Sequence, residues 1–178
     1  MNVSDSLRIS SALEQLGYTR TRSAEDADVI VLITCVVRQS AEDKAIGRLS
    51  SLKKVKKNNP KVIINLMGCL VGIGNHSQLK HRFPYVDIFS PPSDPSPLVQ
   101  YLVKKANNTA SSNNENAQNK LPCMNRYPLP SKQRGRLVSA FVPIVDGCSK
   151  ACSYCIIPLR RGRERSRPPK EILEEVQS

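Results

Sequence analysis

The chain has 178 residues, 39% of them hydrophobic, enough for one ordinary domain or for one domain and part of another. No stretch approaches the roughly 20 apolar residues of a membrane helix, and Met1 leads into a polar segment rather than a secretion signal, so the composition reads against a membrane or exported protein and for a cytosolic one. A net charge of +12 favours a polyanionic partner, most simply nucleic acid, over a merely basic surface, although 4% aromatic residues and no Trp offer no obvious platform for stacking single-stranded bases.

Residues 4–16 are expected to form a helix, capped by Asn2 or Ser4, with Leu7, Leu13 and Leu16 as a partial apolar stripe and Gly17 as its stop. Asp28 to Thr34 is a short β-branched apolar run, the pattern of a strand covered on both faces. A helix over 38–57 follows, its end basic through Lys53, Lys54, Lys56 and Lys57, which suits the helix dipole. Pro60 breaks it, and Val62 to Met67 is a second buried strand. A helix near 75–82, a strand near 85–89 and a helix over 96–105 continue the alternation. Residues 107–120 are polar and of low complexity, a flexible linker or insertion loop. Leu137 to Val145 reads as a strand, although Pro143 restricts it to an edge or a strand end. A basic loop follows, and Pro168 or Pro169 opens a last helix. The fold class is therefore α/β: a Rossmann-like or flavodoxin-like parallel sheet over 1–106, a linker over 107–132, and the incomplete beginning of a second domain over 133–178.

Six cysteines in a reducing compartment read as metal ligands or free thiols before disulfides. Cys148, Cys152 and Cys155 have the spacing C-x3-C-x-aromatic-C, with Tyr154 as the aromatic. Three thiolates so close can hold three corners of a four-iron cluster and leave the fourth iron open to activate a small molecule, whereas clusters that only carry electrons usually have four cysteine ligands. A zinc knuckle is the weaker alternative, because structural zinc wants four ligands and no Cys or His follows Cys155. Cys35 and Cys69 directly follow the two buried strands, and parallel neighbours end on one edge of a sheet, where ligands collect. They are either a second metal site or two buried thiols packing as small apolar groups. Arg160, Arg161, Arg163, Arg165 and Arg167, with Glu164 as the one acid among them, can hold phosphates, form a solvated charge run or pair with another part of the protein.

Several of these segments together resemble one family. Cys148 to Cys155 resembles the radical S-adenosylmethionine (SAM) motif, whose open iron chelates the amino and carboxylate groups of SAM. Met1-Asn2-x-x-Asp5-Ser6, Thr34-Cys35-x-x-Arg38 and Gly68-Cys69 resemble the N-terminal domain of the radical-SAM methylthiotransferases, and Gly147 to Pro168 resembles the opening of their catalytic barrel. The resemblance covers nearly the whole chain except the linker. It implies that 133–178 begins a radical-SAM (β/α) partial barrel, and that two [4Fe-4S] clusters are held, one by Cys148, Cys152 and Cys155 and an auxiliary one by Cys35, Cys69 and a third cysteine. That third ligand belongs to a Gly-Cys-Gln-Met-Asn signature, which this sequence enters at Met1. The expectation is that in-frame codons upstream encode Gly-Cys-Gln after a further first strand. Ile33 stands where the family usually has Asn, Leu7 where it usually has an acid, and Cys123 matches no family ligand and is read as a free thiol.

The resemblance further implies a mechanism. SAM takes one electron and breaks to methionine and a deoxyadenosyl radical, the radical removes hydrogen from an unreactive C–H, the auxiliary cluster gives sulfur, and a second SAM gives the methyl group. Tyr154 would pack near the SAM adenine or serve as a core aromatic. An electron donor such as flavodoxin or ferredoxin is implied as a partner. The stretches around Val36 to Lys44 and Val138 to Ile144 look most like the branch that modifies isopentenyl-adenosine beside the anticodon of tRNA. Two other branches act on threonylcarbamoyl-adenosine in tRNA and on a ribosomal-protein aspartate. The 178 residues alone are expected not to turn over, and a non-catalytic iron–sulfur or RNA-binding module is the reading from another class.

Overall fold

The computed structural model describes residues 2–109 and 139–177. Helix α1 (Asn2–Gln15) leads into strand β1 (Val29–Thr34), helix α2 (Gln39–Asn58), strand β2 (Ile63–Gly68), the short helix α3 (Ser77–Arg82), strand β3 (Ile88–Ser90) and helix α4 (Ser96–Thr109). The three strands form one parallel sheet in the order β1-β2-β3, with Val29 opposite Ile63, Thr34 opposite Gly68, and Asn65 opposite Ile88.

The alternation of side chains along the strands sorts the core into two halves. Ile64 and Leu66 of β2 point to one face, where Leu49 and Leu52 of α2 and the aromatic ring of Phe83 cover them, with Ile30 and Leu32 of β1 alongside. Ile63 and Met67 point to the other, against Ile9 of α1 and Leu98 and Leu102 of α4, with Val29, Val31 and Ile33 alongside. Helices thus lie on both faces of a parallel sheet, as the expected Rossmann-like arrangement requires. Every residue of the central strand β2 is buried, whereas β1 lies at the edge and is only half-buried up to Thr34. The end of α2 is fastened by more than its dipole: the Lys56 ammonium donates to both Asp87 carboxylate oxygens at 2.8 Å and to the Val62 carbonyl at 2.6 Å, while Asp87 accepts the Ile64 N–H.

The second part of the chain contributes strand β4 (Val145–Asp146), helix α5 (Ile157–Arg161), strand β5 (Arg165–Ser166) and helix α6 (Pro169–Gln177). Here the structure departs from expectation. The strand expected over 137–145 is reduced, among its described residues, to Val145, which pairs with Ser166 while Asp146 pairs with Arg165, antiparallel. Phe141 and Ile144 are exposed, so no apolar partner layer holds that stretch in a sheet. The parallel strand-and-helix succession that would open a barrel is not seen among the described residues. Helix α4 runs through Thr109, past the expected start of the linker at 107; the rest of that linker and Cys123 lie outside the described residues.

Candidate iron–sulfur and interdomain site

Cys35 and Cys69 each stand one residue beyond the last strand pair, Thr34 opposite Gly68, so the register puts both at the carboxyl edge of adjacent parallel strands. The turn that carries Cys69 is locked to β1. The Cys69 N–H donates to the Thr34 carbonyl at 3.2 Å, the Leu70 N–H donates to Thr34 Oγ1, and that hydroxyl donates to the Met67 carbonyl at 2.8 Å. Gly68 makes the close approach possible: its φ is +105°, and a Cβ there would lie 2.5 Å from the Thr34 carbonyl oxygen. Cys69 is 2% exposed and Cys35 half-buried, and neither is in a disulfide.

The second cysteine set lies on the loop between β4 and α5. Gly147, at φ +80°, begins it where a Cβ would meet the Arg163 and Gly162 carbonyls, and the Cys148 N–H donates to the Gly162 carbonyl at 3.1 Å. The Ser149 hydroxyl accepts the Glu164 N–H, and the Cys155 N–H closes a turn on the Cys152 carbonyl. The loop is therefore pinned to the basic segment that follows α5. Cys148 and Cys155 are half-buried, Cys152 is exposed, and all three are free thiols. Tyr154 is 90% exposed, with no core contact among the described residues. Among the described residues no three His, Cys, Asp or Glu side chains are gathered as a site for a single metal ion. The donor set fits an iron–sulfur group in its chemistry: three unpaired thiols on one short loop, with the middle one open to solvent.

The two parts of the chain pack together next to both cysteine sets. Ile156, next to Cys155, packs into the core cluster that contains Val36, Cys69, Leu70 and Val71. Gly72, three residues after Cys69, lies against the Arg160 side chain, where a Cβ would sit 3.3 Å from Cδ.

The five arginines divide by burial. Arg163 and Arg165 are exposed and Arg160 half-buried, while Arg161 is buried and Arg167 donates to the Pro143 carbonyl and pairs with Glu175. Sequence reasoning missed the residues that meet them. Asp5 and Arg8, one turn apart on α1, are 2% and 6% exposed. Asp5 pairs with Arg161, and Arg8 with Glu175. The available signal was that Asp5 lies one turn before Ile9, on the side of α1 that also carries Leu13 and Leu16, but nothing in the sequence named the partner of a charge there.

Burial holds the Asp5 carboxyl above its ordinary value of 3.8, outweighing the Ser93 hydrogen bond and the Arg161 and Arg8 charges that pull it down. Between the ordinary and the raised value the folded chain keeps a proton that the unfolded chain has lost. The stability this group gives is thus full at acid pH and is lost as pH rises through the raised value. Asp5→Asn, always neutral, is expected to be the more stable form at pH 7 and to converge with the wild type near pH 4 in urea melts. A variant whose deficit grew towards pH 7 would contradict this.

Comparison with known proteins gives two findings. Residues 1–90 match the model of the uncharacterized protein family UPF0004. Proteins named tRNA-2-methylthio-N(6)-dimethylallyladenosine synthase are similar over almost the whole chain. The one from Herpetosiphon aurantiacus is 45% identical over 176 residues, covering 99% of this chain and 37% of its own length. That from Roseiflexus sp. is 45% identical over 175 residues, 98% of this chain and 34% of its own. That from Clostridium novyi is 37% identical over 177 residues, 99% and 38%. The chain thus spans little more than a third of the length of these relatives.

Proposed function

We propose, on the premise that this chain belongs to the UPF0004 family, that it supplies the two cysteine sites of a tRNA methylthiotransferase acting on isopentenyl-adenosine beside the anticodon. The observation that carries the reading is the docking of the Cys148–Cys155 loop, through Ile156, onto the cluster that contains Cys69. A methylthiotransferase needs a SAM-activating centre and a sulfur source within reach of one substrate carbon. Cys148, Cys152 and Cys155 would hold one [4Fe-4S] cluster, and Cys35 and Cys69 would give two ligands to the other. When bound, the first supplies the electron for SAM cleavage and the second supplies sulfur.

The chain's own residues then have definite tasks. The Thr34–Gly68 lock fixes Cys35 and Cys69 relative to each other, so their spacing does not depend on a metal to assemble it. The Gly147 turn and the Cys148–Gly162 bond aim the second set. Tyr154, exposed to solvent, would stack on the adenine of SAM. Arg163 and Arg165 are the members of the basic segment free in their exposure to meet tRNA phosphates, with Arg160 beside them. A cytoplasmic setting and a flavodoxin or ferredoxin as electron donor complete the reading; among the described residues no helix is long and apolar enough to cross a membrane.

Mass spectrometry of tRNA nucleosides from cells with and without this locus tests it. The methylthio form of isopentenyl-adenosine should disappear and its unmethylthiolated precursor accumulate. An unchanged nucleoside would overturn the assignment, and the same spectra would show whether the threonylcarbamoyl form is lost instead.

A further inference from the structure

We propose that Arg161 is a positioning residue, a buried pin that sets the Cys148–Cys155 loop against the carboxyl edge of the sheet, and not one of the phosphate-binding arginines. The importance of that geometry rests on the functional reading above; the pin itself rests on contacts.

Arg161 ends α5, and the loop is tied to it from both sides. Cys155 and Ile156 lead directly into α5, and the Gly162 carbonyl, next to Arg161, accepts the Cys148 N–H at the loop's other end. A displacement of Arg161 therefore carries the whole loop with it. The guanidinium reaches out of this unit into the first part of the chain. Its Nη2 lies 3.9 Å from Asp5 Oδ2 on α1, and its Nη1 donates to Ser93 Oγ at 3.3 Å in the β3–α4 loop. Nη1 also lies 3.8 Å from Asp146 Oδ1 on β4. The side chain is 7% exposed and that of Asp5 2%. A guanidinium so buried, with carboxylates on two sides, already has its charge compensated and offers little to a phosphate.

Ser93 holds a φ of +60°, the one non-glycine residue in the left-handed region among those described, and its hydroxyl stands by both Arg161 and Asp5. Strain of this kind persists only where the surroundings fix it. A second limb runs parallel to the first. Glu175 Oε2 of α6 lies 3.4 Å from Arg8 Nη2 of α1 and 2.6 Å from Arg167 Nη1, which also donates to the Pro143 carbonyl. Asp5 and Arg8 thus present opposite charges one turn apart, and the second part of the chain meets them with Arg161 and Glu175. Such a charge pattern is satisfied in one register only. Buried ion pairs recover little net stability because desolvation offsets the attraction, but a misdocked arrangement leaves charges uncompensated, so their effect is to specify geometry. The planar fork is needed as well, because a lysine ammonium cannot reach Asp5, Ser93 and Asp146 in one fixed plane.

Amide hydrogen exchange on the 178-residue chain without iron is the test, with R161Q and R161K compared with the wild type and with K53Q as a control for the loss of one exposed charge. In R161Q the amides of Cys148, Cys155 and Gly162 should exchange about tenfold faster or more, while those of β2 keep their protection; R161K should fall between, and K53Q should match the wild type. Unchanged exchange at Cys148, Cys155 and Gly162 in both Arg161 variants would overturn the pin. If R161Q loses the protection of β2 as well, R161K, which leaves no buried acid without a cation, decides by the same amides. A second readout separates positioning from mere folding. In the protein encoded at the whole locus, R161Q should bind as much iron as the wild type yet form several-fold more deoxyadenosine per methylthiolated product. An unchanged ratio would overturn the positioning role. A wild type that binds no iron through Cys148, Cys152 and Cys155 would instead sink the functional reading and leave the exchange result standing.

Discussion

Replacing Cys152 by alanine should abolish SAM cleavage by the protein encoded at this locus while leaving the stability of this chain within about 0.5 kcal/mol of the wild type. The two halves of that result rest on different observations. Cys152 is exposed and in no disulfide, so its side chain supports little of the fold. The turn it occupies is held by its carbonyl, which accepts the Cys155 N–H and survives in alanine. The thiolate, in contrast, is on the proposed reading one of three ligands from one loop, and two would not hold a cluster with a single open iron. Cleavage assayed as deoxyadenosine formation, with urea melts alongside, checks both. Retained cleavage in Cys152→Ala, or equally in Cys148→Ala or Cys155→Ala, would remove the radical-SAM reading. A large loss of stability would show that the loop has a structural duty which its exposure does not indicate.

Gly68→Ala should have the opposite signature, a destabilisation of about 3 kcal/mol or more with every cysteine still present. A Cβ at 68 would lie 2.5 Å from the Thr34 carbonyl oxygen and 3.0 Å from its amide nitrogen, both backbone atoms of a paired strand that cannot turn aside. The φ of +105° adds strain that alanine does not tolerate. The relief available is for the turn to move off β1, which breaks the Cys69 and Leu70 N–H bonds to Thr34 and separates Cys69 from Cys35. Chemical denaturation measures the first effect, and iron bound at the sheet edge, measured in a background that lacks Cys148, Cys152 and Cys155, reports the second. Wild-type stability in Gly68→Ala would mean that the turn adopts another conformation in solution.

The strands were readable because parallel strands covered on both faces must be continuous apolar runs, and Val29–Thr34 and Ile63–Gly68 are such runs. Their carboxyl ends put Cys35 and Cys69 on one edge of the sheet, since parallel neighbours end together. The spacing of Cys148, Cys152 and Cys155 is local chemistry and needed no fold to be seen. The expected strand over 137–145 was misread for a related reason: apolar, β-branched residues such as Val142 and Val145 fit a strand, but strands exist through their partners, and Phe141 and Ile144 find none.

The arginine segment marks the boundary between the two kinds of knowledge. By itself the sequence determined that five arginines lie within eight residues, that the strands are parallel and buried, and that five of the six cysteines fall where thiol chemistry collects. Only the tertiary structure decided that Arg161 is enclosed by Asp5, Ser93 and Asp146 while Arg163 and Arg165 face solvent, and that Asp5 and Arg8 form a docking face. The physical reason is the reach of each effect. Periodicity and ligand spacing act within a few residues and are written along the chain. The partner of a buried charge is chosen by packing between segments more than 150 residues apart, as Asp5 and Arg161 are, and no local pattern encodes it.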